Sequence, residues 1–226
     1  MAWEVCNQVG GIYTVIRSKV PSVVKKWSNN NYCLLGPYIP NQVGAELELI
    51  TDLSDPIGQA VIKMREMGYD VYYGKWLVTG HPRVVLFNPY HAYYKLGQMK
   101  YEFWEHHGIS LNDEDLLNKV VSFGYQVKEF LCVFAAQEST KDKQIIGHFH
   151  EWMAATPIPE LRRIGCPIKT IFTTHATLLG RYLAMNDPCF YNNLPFYDWS
   201  KEAKYFNIEC AANIERAAAH GAHLLT

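Results

Sequence analysis

Apolar runs of strand length alternate with amphipathic helical stretches along almost the whole chain, and this alternation most narrows the folds available to it. "NYCLLGPY" (Asn31 to Tyr38) reads as a buried strand closed by Gly-Pro. "PIGQAVIKMREMG" places Ile57, Val61, Met64 and Met67 on one helical face before a glycine stop. "DVYYGKWLVTG" and "RVVLFNPY" read as two strands, the second stopped by Pro89. Residues 110–137 predict the clearest helix, with Leu116, Val120, Val127, Leu131 and Phe134 in a 3.6-residue pattern and Asn112 as N-cap. "KQIIGHFH" then reads as a strand, "EWMAATPIPELRR" as a helix and "IKTIFTTHAT" as a strand. "KEAKYFNIECAANIERAAAHGA" reads as a helix stopped at Gly221, and "HLLT" as the start of another strand. Strand–helix alternation of this kind predicts an α/β fold, a Rossmann-like parallel sheet with helices on both faces. Functional groups then collect at the carboxyl ends of the strands. Met1 to Val5 is short for a first strand and the last strand has barely begun at Thr226, so the expectation is one domain, 1–226, of a longer chain.

A chain of 226 residues is long enough for a sizeable core, and 49% hydrophobic with 19% charged residues argues against disorder. The formal net charge of −1 argues against nucleic acid or an anionic membrane as partner. No apolar run reaches the ~20 residues that span a bilayer. The six cysteines lie far apart with no CxxC pair, and the first residues lack a basic and an apolar leader region. A cytoplasmic protein with free thiols is expected.

Chemistry concentrates in a few places. Gly10-Gly11 precedes a helical pattern, where glycines allow positive φ and close ligand approach, and where a helix N-terminus offers free N–H groups to an anion. The pair matches neither GxGxxG nor the P-loop, so a phosphate cradle competes with a tight packing turn. His148 and His150 end an apolar strand on one side of the sheet, where a histidine can donate to a substrate hydroxyl. They can equally be structural, or a metal pair, although no spacing supplies the further ligands a metal needs. His175 closes the next strand and Arg181 follows six residues later, as a phosphate clamp or a surface residue behind a capping threonine. Asp113 to Asp115 spells a DxD-like run, but in the first turn of a helix it compensates the dipole. His106-His107, His220 and His223 lack sequence partners and read as structural or surface. The Tyr90 to Tyr101 region carries aromatics that stack on sugars or fill a core.

Taken together, "AWEVCNQVGGIYTVI", "NYCLLGPY", "HFHEWMA", "IFTTHATLLGRYLA" and "NIERAAAHGAHLLT" resemble the N-terminal half of the eukaryote-type glycogen (starch) synthase family, here a bacterial-type or truncated member. The resemblance runs from Ala2 to Thr226 and is weakest between about Gln42 and Gln144. It implies one half of a two-domain GT-B enzyme, a retaining glucosyltransferase. Such enzymes move glucose from UDP-glucose to the non-reducing end of an α-1,4-glucan, with no metal and no cofactor beyond that donor substrate. The resemblance implies that Gln8, Gly10 and Gly11 face the donor, that His175 and Arg181 line its site, and that His150 lies by the transferred glucose with a catalytic role. It implies UDP-glucose, α-1,4-glucan and a C-terminal nucleotide-binding domain as partners, and it allows a homo-oligomer.

Two departures bear on this. The family's loop usually carries lysine where Gln8 stands, and losing a charge-assisted hydrogen bond costs about 1.5–3 kcal/mol. The family's second domain, with most of the nucleotide pocket, is not within these residues, so the 226 residues are expected not to turn over alone. The alternatives are a non-catalytic glucan-binding half-domain and a related transferase with another donor.

Overall fold

The computed structural model describes residues 1–43 and 45–226. Strands β1 (Cys33–Pro37), β2 (Leu47–Leu49), β3 (Val71–Trp76) and β4 (Arg83–Phe87) form one sheet in the order β1-β4-β3-β2. Strands β5 (Ile145–His150), β6 (Ile168–Thr173) and β7 (Leu224–Leu225) form a second in the order β5-β6-β7. The second sheet is parallel throughout, and β1 pairs parallel with β4. The α/β architecture therefore stands, with one modification at its far edge: β3 runs antiparallel to β4, and β2 antiparallel to β3. Residues 77–82 are too few for a crossover, so β3 and β4 close as a hairpin.

The first residues join the two sheets. Ala2 bridges His150 in parallel sense, its N–H donates to the Leu35 carbonyl at 3.2 Å, and the His150 N–H donates to the Met1 carbonyl at 2.9 Å. A single extended residue thus sits between β1 and β5. The parallel sense sends the chain after Ala2 out at the carboxyl end of β5.

Alternation along the strands fills both faces of the first sheet. Val84 and Leu86 of β4, with Leu34 and Trp76, meet Tyr13, Ile16 and Val20 of α1 (Gly11–Trp27). Val85 and Phe87 face the other way. They meet Ile57, Val61 and Met64 of α3 (Pro56–Glu66), which follows the single-turn α2 (Pro40–Val43). On that same face, α4 (Leu96–His107) leads into α5 (Asp115–Ala135), whose Val120, Phe123, Val127 and Phe130 are buried. Met67 and Leu116, expected on apolar faces, are exposed: Met67 caps its helix, and Leu117 takes the inward position at the start of α5. Asn112 does not cap α5. Glu114 holds the N-cap without a side-chain bond, Asp113 pairs with Lys100 and Asn118, and Asp115 pairs with Lys119 one turn on.

Two expected single helices are each broken. Residues 151–163 form α6 (Trp152–Ala155) and α7 (Ile158–Arg163), because Pro157 and Pro159 remove two backbone donors. After α8 (Leu178–Asn186) and the short α9 (Phe190–Asn193), residues 199–221 form α10 (Trp199–Tyr205) and α11 (Glu209–Gly221). The chain turns between these last two at Asn207, whose φ is 57°.

One glycine is required by packing. A Cβ at Gly124 of α5 would lie 2.7 Å from the Cβ of Thr156 and overlap its hydroxyl. Gly124→Ala should cost about 1–3 kcal/mol through overpacking, read as a lower urea midpoint with an unchanged m-value.

Candidate functional site

The carboxyl ends of β5 and β6 lie side by side, with His150 paired to Thr173 in register. His148 and His150 project to the same face, as alternation requires, and their rings lie tilted at 32° with centroids 4.2 Å apart. His148 Nε2 lies 2.7 Å from the Thr173 hydroxyl. Burial, reinforced by nearby positive charges including Lys19 of α1, pushes His148 down to about 4 and His150 to about 2. Both imidazoles are therefore neutral at physiological pH and act as hydrogen-bonding groups.

β6 ends at Thr173, so His175 does not close the strand but stands two residues beyond it in a turn. It is exposed, whereas His150 is 5% exposed. The two meet at 3.3 Å between His150 Nδ1 and His175 Nε2, one ring donating and the other accepting. His175 is thus the accessible tip and His150 the buried group behind it.

Two buried carboxylates hold this arrangement, and composition or spacing gave no sign of either role. Glu151 follows β5 with φ 64° and ψ 161°, a region essentially reserved for glycine that costs about 1–3 kcal/mol. Its Oε1 accepts the His175 N–H at 2.8 Å, and its Oε2 lies 3.8 Å from Arg181 Nη2. Glu215, from the "ERAAAH" run on α11, accepts the Thr174 hydroxyl at 3.1 Å and the Leu178 N–H at 2.9 Å. Leu178 opens α8, so Glu215 caps that helix from another element, while the Thr177 hydroxyl accepts the Gly180 N–H. Burial, with Glu151 adding to it, raises the Glu215 carboxyl. Residues 174–178, which carry His175, are pinned at both ends.

Arg181 lies on α8 within the same cluster. Its side chain is 53% exposed, donates to the Ala176 carbonyl at 3.3 Å and keeps further N–H groups toward solvent.

The glycine loop leaves the sheet at this same edge, because Ala2 runs parallel to β5. Gly10 is the N-cap of α1 with extended backbone, and neither Gly10 nor Gly11 has positive φ. Their use is space. A Cβ on Gly10 would lie 3.3 Å from the Glu4 carboxylate, whereas one on Gly11 would meet nothing of this chain within 4 Å. The helix N-terminus is already partly occupied. Glu4, 4% exposed, accepts the Gly10 N–H at 2.7 Å and the Tyr13 N–H at 3.0 Å. The expected anion cradle is therefore reduced to the N–H groups of Gly11 and Ile12. Gln8 is exposed; Asn7 is buried, with Nδ2 donating to the Trp3 carbonyl at 3.4 Å and Oδ1 unpartnered. Arg17 and Lys19 stand about 9 and 12 Å down the helix from Gly11, at 1.5 Å per residue.

Outside this edge, His106 and His107 do have a partner: both rings reach Glu160 Oε1, at 2.9 and 2.8 Å. His223 bonds Thr170 and Arg162. Tyr90, Tyr94, Tyr101 and Trp104 are each about half exposed or more. Among the described residues no three His, Cys, Asp or Glu side chains group as a metal site, and no helix is long and apolar enough to cross a membrane.

The arrangement is an open edge carrying imidazoles, an exposed guanidinium and a narrow glycine loop. It can hydrogen-bond a polyhydroxylated ligand and pair with an anionic group beside it. A family model described as glycogen synthase matches residues 1–226. Glycogen [starch] synthase of Neurospora crassa is 39% identical over 100% of this chain, and the liver glycogen [starch] synthase of Rattus norvegicus is likewise 39% identical over 100%. Glycogen [starch] synthase isoform 1 of Saccharomyces cerevisiae is 41% identical over 100% of it. The chain spans about a third of the length of these relatives, 32% of the first two and 33% of the third. With motif, fold and family model in agreement over its whole length, the chain belongs to the glycogen synthase family.

Proposed function

We propose that this chain is the N-terminal, acceptor-side Rossmann-like domain of a retaining glucosyltransferase. The enzyme moves glucose from UDP-glucose to the non-reducing 4-hydroxyl of an α-1,4-glucan, in the cytoplasm. The relatives are about three times its length, and we place the nucleotide-binding half in that additional sequence. One observation carries the reading: His150 of one motif and His175 and Arg181 of another meet at the carboxyl edge of β5 and β6 under the control of Glu151 and Glu215.

In this reading His175 holds the donor sugar and His150, neutral and hydrogen-bonded behind it, orients the transferred glucose. Arg181 pairs with the departing diphosphate, whose charge stabilisation is the largest contribution in transfers of this kind. Gly11 leaves room for the donor, and Gln8 contributes a neutral hydrogen bond. Glu4, Glu151 and Glu215 place three carboxylates around the site. The pyrophosphate therefore draws most of its cationic contacts from outside this domain, and the isolated chain is expected not to turn over.

The test is calorimetric titration with UDP-glucose, ADP-glucose and a maltooligosaccharide, for the chain itself and for a His175→Ala, Arg181→Ala double variant. The expected result is donor binding that the double variant weakens about tenfold or more. Unchanged donor binding in the variant would remove these residues from the site. A second reading, a glucan-binding half-domain, draws on exposed Tyr94, Tyr101 and Trp104. It predicts maltooligosaccharide binding without donor binding, unaffected by the double variant.

A further inference from the structure

Cys132 lies in the last turn of α5, and Cys166 in the tight turn between α7 and β6. Thirty-four positions apart in sequence, their sulfurs stand 3.8 Å from each other. Gly165, with φ 65°, turns the chain just before Cys166, and the Cys166 N–H donates to the Leu161 carbonyl at 3.0 Å. Both thiols are half-buried, open enough for a small molecule to reach. A disulfide needs its sulfurs about 2.05 Å apart, so thiols already in contact require only a small rotation to close.

We propose that Cys132 and Cys166 are a redox-responsive modification site that closes to an intramolecular disulfide when a hydroperoxide reaches it. The Cys132 thiolate attacks a peroxide oxygen, the O–O bond breaks, and a sulfenic acid forms as hydroxide leaves and takes up a proton. The Cys166 sulfur then attacks the Cys132 sulfur, the S–S bond forms, and water departs with the Cys166 proton. Two thiols are oxidised by two electrons, and one hydrogen peroxide is reduced to two waters.

The hydrogen bond between the two thiols holds Cys132 below its ordinary range against burial and Glu129, with Lys128 one turn earlier adding to it. The Cys166 thiol is raised by that same hydrogen bond and by burial. Cys132 attacks and Cys166 resolves in this sequence of steps; exchanging the two roles gives the same disulfide and the same two waters. Cys6 and Cys33 are the contrast: burial pushes both upward, Cys33 to about 12. The bond would tie α5, which packs on the first sheet, to the turn that enters β6 of the second.

The test uses the whole chain with Cys189→Ser, which removes an exposed thiol able to join two molecules. It is treated with stoichiometric hydrogen peroxide, digested without reductant and mapped by mass. The expected results are a peptide pair linked through Cys132 and Cys166 and a thermal midpoint raised by about 5–10 °C, reversed by dithiothreitol. Cys132→Ser and, separately, Cys166→Ala should each abolish both. Oxidation that stops at sulfinic acid, a link through Cys210 instead, or the same midpoint rise in either variant would overturn the proposal.

Discussion

Replacing Glu215 with alanine should lower the thermal midpoint of this domain by about 10 °C. The side chain is 6% exposed and accepts two hydrogen bonds, from Thr174 and from the first N–H of α8. Bonds to a charged acceptor contribute about 1.5–3 kcal/mol each, and removing the carboxylate leaves two half-buried donors without it. The summed loss is about 3–5 kcal/mol, and each kcal/mol moves the midpoint of a domain this size by roughly 2–4 °C. Calorimetric scanning of Glu215→Ala and Glu215→Gln checks it. Glutamine keeps one carbonyl acceptor and should recover part of the loss. Partial recovery is the informative result, because a pure cavity effect would leave glutamine, which fills the same volume, fully native. Equal midpoints for wild type and Glu215→Ala would show that residues 174–178 are held by other contacts. Because those residues carry His175, the same substitution should weaken donor binding in the titration above, although Glu215 touches no ligand.

Acid should unfold this protein partly through Glu160. Burial opposes ionisation there, but hydrogen bonds from Arg163, His107 and His106 hold the carboxyl down to about 2. The Arg163 pair is bidentate, at 2.9 and 3.0 Å, and the Glu160 side chain is 8% exposed. The sign follows from the folded value lying below the unfolded one. The folded state binds this proton less readily, so the stabilisation is present above the unfolded value of about 4.3 and disappears as pH falls from there towards 2. Roughly two units of depression correspond to about 3 kcal/mol. Denaturation midpoints measured from pH 6 to pH 2.5 should fall steeply below pH 4.5 in the wild type, and less steeply in Glu160→Gln. Parallel curves would assign the acid limb to other carboxylates.

The alternation of strand and helix was legible at once, and so was the convergence of "HFHEW" and "TTHATLLGR" on neighbouring strand ends. Period-two patterning shows which strand residues share a face, and a parallel sheet puts consecutive carboxyl ends together. The breaks at Pro157 and Asn207 are not legible in the apolar pattern, which runs on across them. The direction of β3 is hidden for a related reason: hydrophobic pattern is identical for parallel and antiparallel strands, and only the short connection to β4 distinguishes them. The glycine pair was located correctly but its surroundings were not. Glu4 caps α1 from six residues before Gly10, a distance at which no helical or strand period links a side chain to its partner.

From sequence alone came everything that depends on local period and composition: the α/β class, the buried strands, α5, the strand-end histidines and the motifs that tie the chain to its family. Tertiary structure alone decided which carboxylates organise the site. Glu4, Glu151 and Glu215 are ordinary acidic residues in the sequence, and each gains its role when folding buries it beside backbone N–H groups from a different segment. Burial removes water as the competing partner, so a carboxylate that would be solvated in the open chain becomes the acceptor that fixes a loop.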